Sequence, residues 1–102
     1  MRIYIASAYT KGDVAVNVRN AIMIADELVR LGHTPFIPHL THFWHLVSPK
    51  TISFWYCYDM SFLDNWAEAI LRVDGISEGA DNEVIRAEEL GLPVYYDIED
   101  LP

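Results

Sequence analysis

The sequence has a single cysteine, Cys57, which removes any internal disulfide and any thiolate metal cluster. Tyr56 and Tyr58 flank it and no basic residue lies beside it to lower its pKa, so the thiol is expected to be buried and structural rather than nucleophilic. Long apolar runs are missing too. Stretches such as Ala21 to Ala25 fall far below the roughly 20 residues that a membrane span needs, so no transmembrane helix and no membrane partner are expected. The strand-like opening Met1-Arg-Ile-Tyr-Ile lacks a basic region followed by an apolar signal core, and a cytoplasmic location is the expectation. Basic residues are scarce: seven Lys and Arg stand against fifteen Asp and Glu, a formal charge of −8. Such a surface repels a polyanion such as duplex nucleic acid. A single small anion is still accommodated, because backbone amides and helix N-termini hold a phosphate whatever the net charge. No Gly-x-x-x-x-Gly-Lys spacing surrounds Lys11 and Gly12, and none of Ser7, Ser53, Ser61 or Ser77 sits in a Gly-x-Ser-x-Gly elbow. A nucleoside-triphosphate hydrolase and a serine hydrolase are therefore both disfavoured.

What is present is 102 residues, 52% of them apolar, enough for one domain spanning 1–102 that buries roughly 60–65% of its unfolded surface. Residues 2–6 form a β-branched and aromatic run that ends at the small polar series Ser7-Ala8-Tyr9-Thr10-Lys11-Gly12, a strand followed by a loop. Asp13 is placed to cap a helix in which Val18, Ala21, Ile22, Ala25, Leu28 and Val29 recur at three- and four-residue spacing until Gly32 stops it. Thr34-Pro-Phe-Ile-Pro reads as a second strand, Ala67 to Val73 as a buried third and Pro93-Val-Tyr-Tyr as a fourth. Ser77-Glu-Gly79 opens a helix with Ala80, Val84, Ala87 and Leu90 on its apolar face, ended by Gly91. The alternation predicts right-handed crossovers and a mainly parallel sheet covered on both faces. Ligands of such sheets bind beyond the strand C-termini, which here means the loops Ser7 to Gly12 and Asp74 to Gly79.

The segment from His39 to Trp66 carries eight of the thirteen aromatic residues. Within it Phe54 to Trp66 fits a helix with Tyr58, Phe62 and Trp66 along one stripe. His39, His42 and His45 recur at three-residue intervals, a spacing compatible with a shared cation. On a helix, however, His39 and His45 lie about 120° apart, and the cluster has no cysteine or carboxylate to complete a ligand set. They are expected to be pocket or interface side chains, and neither metal nor cofactor is expected.

The sharpest local signal is Ser77-Glu-Gly79-Ala-Asp-Asn-Glu83, a turn opening a helix with a carboxylate one turn in. Amides around Gly79, the Ser77 hydroxyl and the helix dipole all suit a phosphate. The same residues also suit an ordinary capped N-terminus in which Glu83 is a favourable first-turn charge, and Asp81 a solvated one. Together with Ile3-Tyr4-Ile-Ala-Ser7 and Asp59-Met-Ser-Phe-Leu63, this segment resembles the nucleoside 2-deoxyribosyltransferases and their relatives the 2′-deoxynucleoside 5′-monophosphate N-glycosidases, in family order and over nearly the whole chain. Two pieces fall outside the resemblance: the family's later segment, which often contacts substrate in a neighbouring subunit, has no counterpart, and neither does the aromatic insert His39 to Trp55.

The resemblance implies a flavodoxin-like, Rossmann-like three-layer α/β domain with a mainly parallel sheet of four to five strands. It also implies catalytic roles for three residues: Glu83 as nucleophile at the anomeric carbon, Tyr4 orienting it, and Asp59 near the base as proton donor. Substrate binding is expected at Ser7, Ala8, Ser77 and Gly79. The family's transferases tend to carry aspartate where this chain has Ser77, while its nucleotide hydrolases carry serine, which accepts a 5′-phosphate that aspartate would repel. A nucleoside or nucleoside monophosphate is the implied ligand, with a non-catalytic nucleotide-binding module of the same fold as the alternative. The aromatic surplus in Phe43 to Trp66 predicts a homodimer or higher homo-oligomer.

Overall fold

In the computed structural model, which describes residues 1–102, β1 covers Arg2–Ala6, as its β-branched and aromatic run predicts. The elements that follow are α1 (Val14–Arg30), β2 (Thr34–Phe36), a 3-10 turn (Pro38–Leu40), α2 (Thr41–Val47), α3 (Ile52–Asn65), β3 (Ala69–Arg72), α4 (Glu78–Glu89), β4 (Val94–Tyr95) and a last 3-10 turn (Ile98–Asp100). The four strands form one all-parallel sheet in the order β2-β1-β3-β4, so the expected flavodoxin-like α/β arrangement holds. The register pairs Tyr4 with Phe36 on one side and with Ile70 on the other, and Ala6 with Arg72.

Strand alternation sorts the core into two layers. Tyr4, Ala6 and Ile70 pack against Met60 and Leu63 of α3 and Ala80, Val84 and Ala87 of α4. On the opposite face Ile3, Ile5, Ala69 and Leu71 meet Ala25 and Leu28 of α1, with Ile98 and Leu101 closing the edge. Because both faces are covered, β1 and β3 read as near-continuous apolar runs. Asp13 caps α1 by accepting the Val16 N–H at 3.1 Å, and α1 buries Val18, Ala21, Ala25 and Leu28. Its stop is Gly32, whose φ of +90° favours a residue without a Cβ. Arg86 of α4 reaches Asp64 of α3 at 2.8 Å and ties the two helices on one face together. No helix is long and apolar enough to cross a membrane.

The structure departs from the sequence-based expectation in three places. Strands two to four are each trimmed at their ends: Ala67 donates its N–H to Phe62 as part of the end of α3, which leaves β3 to start at Ala69. Residues 41–47 form a helix that no apolar period announced, because its contacts are aromatic and are made with α3. Cys57 is exposed rather than buried. It shares its helical face with Ser53, Ser61 and Asp64 at four- and seven-residue spacing, whereas α3 turns Met60 and Leu63 inward.

Candidate active site

The strand order reverses direction between β1 and β3, so the loops after these two strands diverge and leave a crevice at their C-terminal ends. Tyr4 lies under that crevice. It is fully buried, faces α3 and α4, and donates its phenolic O–H to Glu83 Oε2. Burial, followed by the negative charges of Glu83 and Asp59, drives the phenol pKa upward, so Tyr4 stays protonated and stays a donor. Glu83 sits half-buried in the second turn of α4, not exposed in the first turn as a simple capping charge would be. Asp59, half-buried on α3, has an Oδ1 with no hydrogen-bond partner. The structure thus brings together the three residues singled out from the resemblance, each from a different element.

Burial acts on both carboxyls. It pushes Glu83 from 4.5 to about 8, with the Tyr4 hydrogen bond and the Arg72 charge pulling down and the Asp59 charge pushing up. Asp59 rises from 3.8 to about 7 by desolvation. With burial resisting the ionisation of both, and the Asp59 charge adding to the cost at Glu83, the pair is suited to holding one proton and one charge.

Above this floor lie the four expected binding residues. Ser7 and Ala8 follow directly on β1. Ser77 caps α4, its Oγ accepting the Ala80 N–H at 3.1 Å, which leaves the hydroxyl proton free to be donated elsewhere. Gly79 is exposed, its φ does not require glycine, and a Cβ there would meet nothing closer than Ser77 Oγ at 4.0 Å. Local backbone strain therefore does not explain the glycine, while a close backbone approach to a ligand would.

Asn17 and Arg72 shape the site though no sequence pattern marked them, and the three histidines take partners that their spacing did not specify. His39, 3% exposed, donates from Nε2 to the Ala8 carbonyl at 2.8 Å, and burial lowers its pKa, so it is a neutral clamp on the first loop. Asn17 donates to the carbonyls of Tyr9 at 2.8 Å and Lys11 at 2.7 Å, and the Tyr9 hydroxyl meets His42 Nδ1 at 2.6 Å. His45 Nδ1 accepts the indole N–H of Trp55 at 2.8 Å and the backbone N–H of Lys50 at 3.2 Å, which pins α2 to α3. The three histidines are thus spent on three different contacts. Arg72, at the end of β3, is 8% exposed and reaches Asp81, which is more than the solvated acid expected at that position. Beside the floor, a cleft of about 340 Å³ lined by Phe36, Ile37, Leu40, Trp44 and Tyr58 adjoins Tyr4 through Phe36, the two rings lying 5.4 Å apart. No sequence period could have revealed it, since it joins β2, α2 and α3 only in three dimensions.

Comparison with known proteins places this geometry in context. A family model described as a domain of unknown function, DUF7768, matches residues 1–97. No curated protein matches the sequence. The fold is similar to that of a solved 2-deoxyribosyltransferase from the psychrotolerant bacterium Bacillus psychrosaccharolyticus, with a TM-score of 0.70 and 21% identity over 96% of this chain and 76% of that one.

The raised carboxyls make folding stability depend on pH. Between pH 6.5 and 8 the folded state retains protons on Asp59 and Glu83 that the unfolded chain has already released, so stability falls as pH rises through this window. His39 acts with the opposite sign, but only below its ordinary value of 6.5. Urea titrations of the wild type at pH 6.5 and 8 should show the decline, and Asp59→Asn should make it shallower. Equal stability at the two pH values would contradict the burial of these protons.

Proposed function

The chain belongs to the DUF7768 family, a domain of unknown function, and from that footing we propose that it is an N-glycosidase of nucleoside 5′-monophosphates with Glu83 as its nucleophile. The observation that carries this is the hydrogen bond from the buried Tyr4 hydroxyl to Glu83, with Asp59 close enough to raise the charge cost of both. The likeness in fold to a 2-deoxyribosyltransferase supports chemistry at an N-glycosidic bond, and Ser77 and Gly79 at the N-terminus of α4 support a phosphate on the substrate.

In the protein alone, burial holds both Asp59 and Glu83 well above the usual carboxylate range. A base nitrogen seated over Asp59 keeps the proton there by taking a hydrogen bond from its protonated form. The remaining charge then falls to Glu83, where the Tyr4 hydroxyl and Arg72 stabilise it. A Glu83 oxygen attacks the anomeric carbon while the bond from that carbon to the base breaks, its electron pair leaving on the base nitrogen, which takes the Asp59 proton. Asp59, now a carboxylate, accepts a proton from water as that water displaces Glu83, releasing the sugar 5-phosphate. The cleft formed by Phe36, Trp44 and Tyr58 offers aromatic faces for a base. Ser7, Ala8, Ser77 and Gly79 hold the phosphate by hydroxyls and amides, which need no surface lysine or arginine in a chain of net charge −8. Neither metal nor cofactor enters this scheme.

The same reading includes self-association. Leu40 of the 3-10 turn, Phe43, Trp44, Leu46 and Val47 of α2 and Ile52 at the start of α3 are exposed, Val47 and Ile52 to 87% and 90%. No Asp or Glu occurs between Glu27 and Asp59, so this face is free of the acids that cover the rest of the chain. Two copies meeting here bury apolar surface without opposing their acidic surfaces, and a homodimer or higher homo-oligomer is the occupant we assign. Sedimentation should find a species of at least twice 11.7 kDa at micromolar concentration, reduced to one chain by Phe43→Glu with Val47→Glu; a wild type that sediments only as one chain excludes it.

Chromatography of deoxynucleoside monophosphates incubated with the protein should show free base. Glu83→Gln should abolish base release while leaving nucleotide affinity within about tenfold, since it keeps the shape and removes the charge. Asp59→Asn should slow release by about 10²-fold or more, and Tyr4→Phe by less. Ser77→Asp should disfavour monophosphates relative to nucleosides. Turnover surviving in Glu83→Gln would exclude it as nucleophile. A wild type that binds a monophosphate without releasing base is a nucleotide-binding module instead.

A further inference from the structure

Arg72 is the only lysine or arginine buried in this protein, and its position is set by the strand. It pairs in register with Ala6 of β1, so its side chain leaves the sheet on the face that carries Tyr4 and meets α4. The guanidinium donates to the Val73 carbonyl, to the Gly75 carbonyl at 2.8 Å, and to Asp81 Oδ1 from Nη2 at 3.0 Å and Nε at 3.3 Å. One side chain thereby joins the end of β3, the crossover turn and the first turn of α4. Gly75, at φ +131°, allows the turn to aim its carbonyl inward. Most of the five N–H donors of the fork are consumed in this way, so Arg72 is not a free ligand for a phosphate. What it holds is the segment bearing Ser77, Gly79 and, one turn on, Glu83.

We propose that Arg72 is the positioning residue of this site: it locks the β3–α4 turn, and with it Ser77, Gly79 and Glu83, against the strand that carries it, and it supplies the one buried positive charge on the sheet face where Tyr4 meets Glu83. Its consequence for turnover rests on the proposed role of Glu83 as nucleophile; the placement of Arg72 is a matter of geometry. The groups that act on Glu83 are the Tyr4 hydroxyl from β1, which bonds it, and the charges of Asp59 from α3 and Arg72 from β3, and among them Arg72 is the one positive charge. Asp81 neutralises it only in part, because the Asp81 side chain is 66% exposed and shares its charge with solvent while the guanidinium is not. A buried cation on the same sheet face as a half-buried carboxyl favours the carboxylate, which is the form a nucleophile requires.

The test is a carbon-13 titration of the Glu83 carboxyl in the ligand-free protein, alongside the pH profile of base release. Arg72→Gln should raise the Glu83 midpoint and shift the acid limb of kcat/KM upward by the same amount. Arg72→Lys keeps the charge without the fork, so it should hold the midpoint near the wild-type value while kcat falls about tenfold or more. If Arg72→Gln fails to fold because Asp81 is left without its partner, the same substitution is made on the Asp81→Asn background and compared with Asp81→Asn alone, where the rise should persist. A folded variant whose Glu83 midpoint does not move overturns the proposal, whatever its turnover. A shifted midpoint in a protein that releases no base leaves the role of Arg72 intact and removes the glycosidase reading instead.

Discussion

A phenol buried in the middle of a parallel sheet needs a partner, because an unsatisfied hydroxyl there costs about 1–3 kcal/mol. Tyr4 finds that partner in Glu83, which lies 79 residues further along the chain. The contact does two things at once. It fixes the second turn of α4 against the first strand, so the packing of Ala80, Val84 and Ala87 on the sheet also sets where the carboxyl stands. It also provides one donor to a carboxylate in a place that offers few others, which keeps Glu83 able to ionise despite its burial.

The rest of the site follows from that placement. Bringing Glu83 under the crevice puts it within electrostatic reach of Asp59, and two acids in one desolvated space resist double ionisation. Arg72 offsets part of this cost from below, while His39 and Asn17 secure the first loop from the side. The acidic surface and the buried acids also account for the kind of anion site proposed. Phosphate binding by backbone amides and hydroxyls adds no cation near the carboxyl pair and leaves its proton balance to Tyr4 and Arg72.

Much of this was legible in the residues. The strand of residues 2–6, the capped helix from Asp13 and the helix opened by Ser77 follow from local chemistry that tertiary packing reinforces, and they stand close to where they were expected. Tyr4, Asp59 and Glu83 were found through resemblance; no spacing in the sequence links a strand residue to carboxyls 55 and 79 positions away. What stayed hidden depends on surroundings. Burial of Cys57 was inferred from its aromatic neighbours in sequence, yet on a helix those neighbours point elsewhere, and its true companions are Ser53 and Ser61. Arg72 falls inside the run read as a buried third strand, where nothing in the sequence marks it, and only the folded turn shows the carbonyls that take its guanidinium. His39, His42 and His45 looked like one cluster because they are evenly spaced, but a 3-10 turn running into a short helix sends them to three separate partners.

The central claim is that Glu83 bonds covalently to the sugar during turnover. A 2′-fluorinated deoxynucleoside 5′-monophosphate tests it directly, because the electron-withdrawing fluorine destabilises the oxocarbenium-like centre and slows release of the glycosyl group. Mass spectrometry of the digested protein should find the mass of the fluorinated sugar phosphate on the peptide containing Glu83, and not in Glu83→Gln. Free base appearing while that peptide stays unmodified, or the adduct mapping to another residue, would contradict the account.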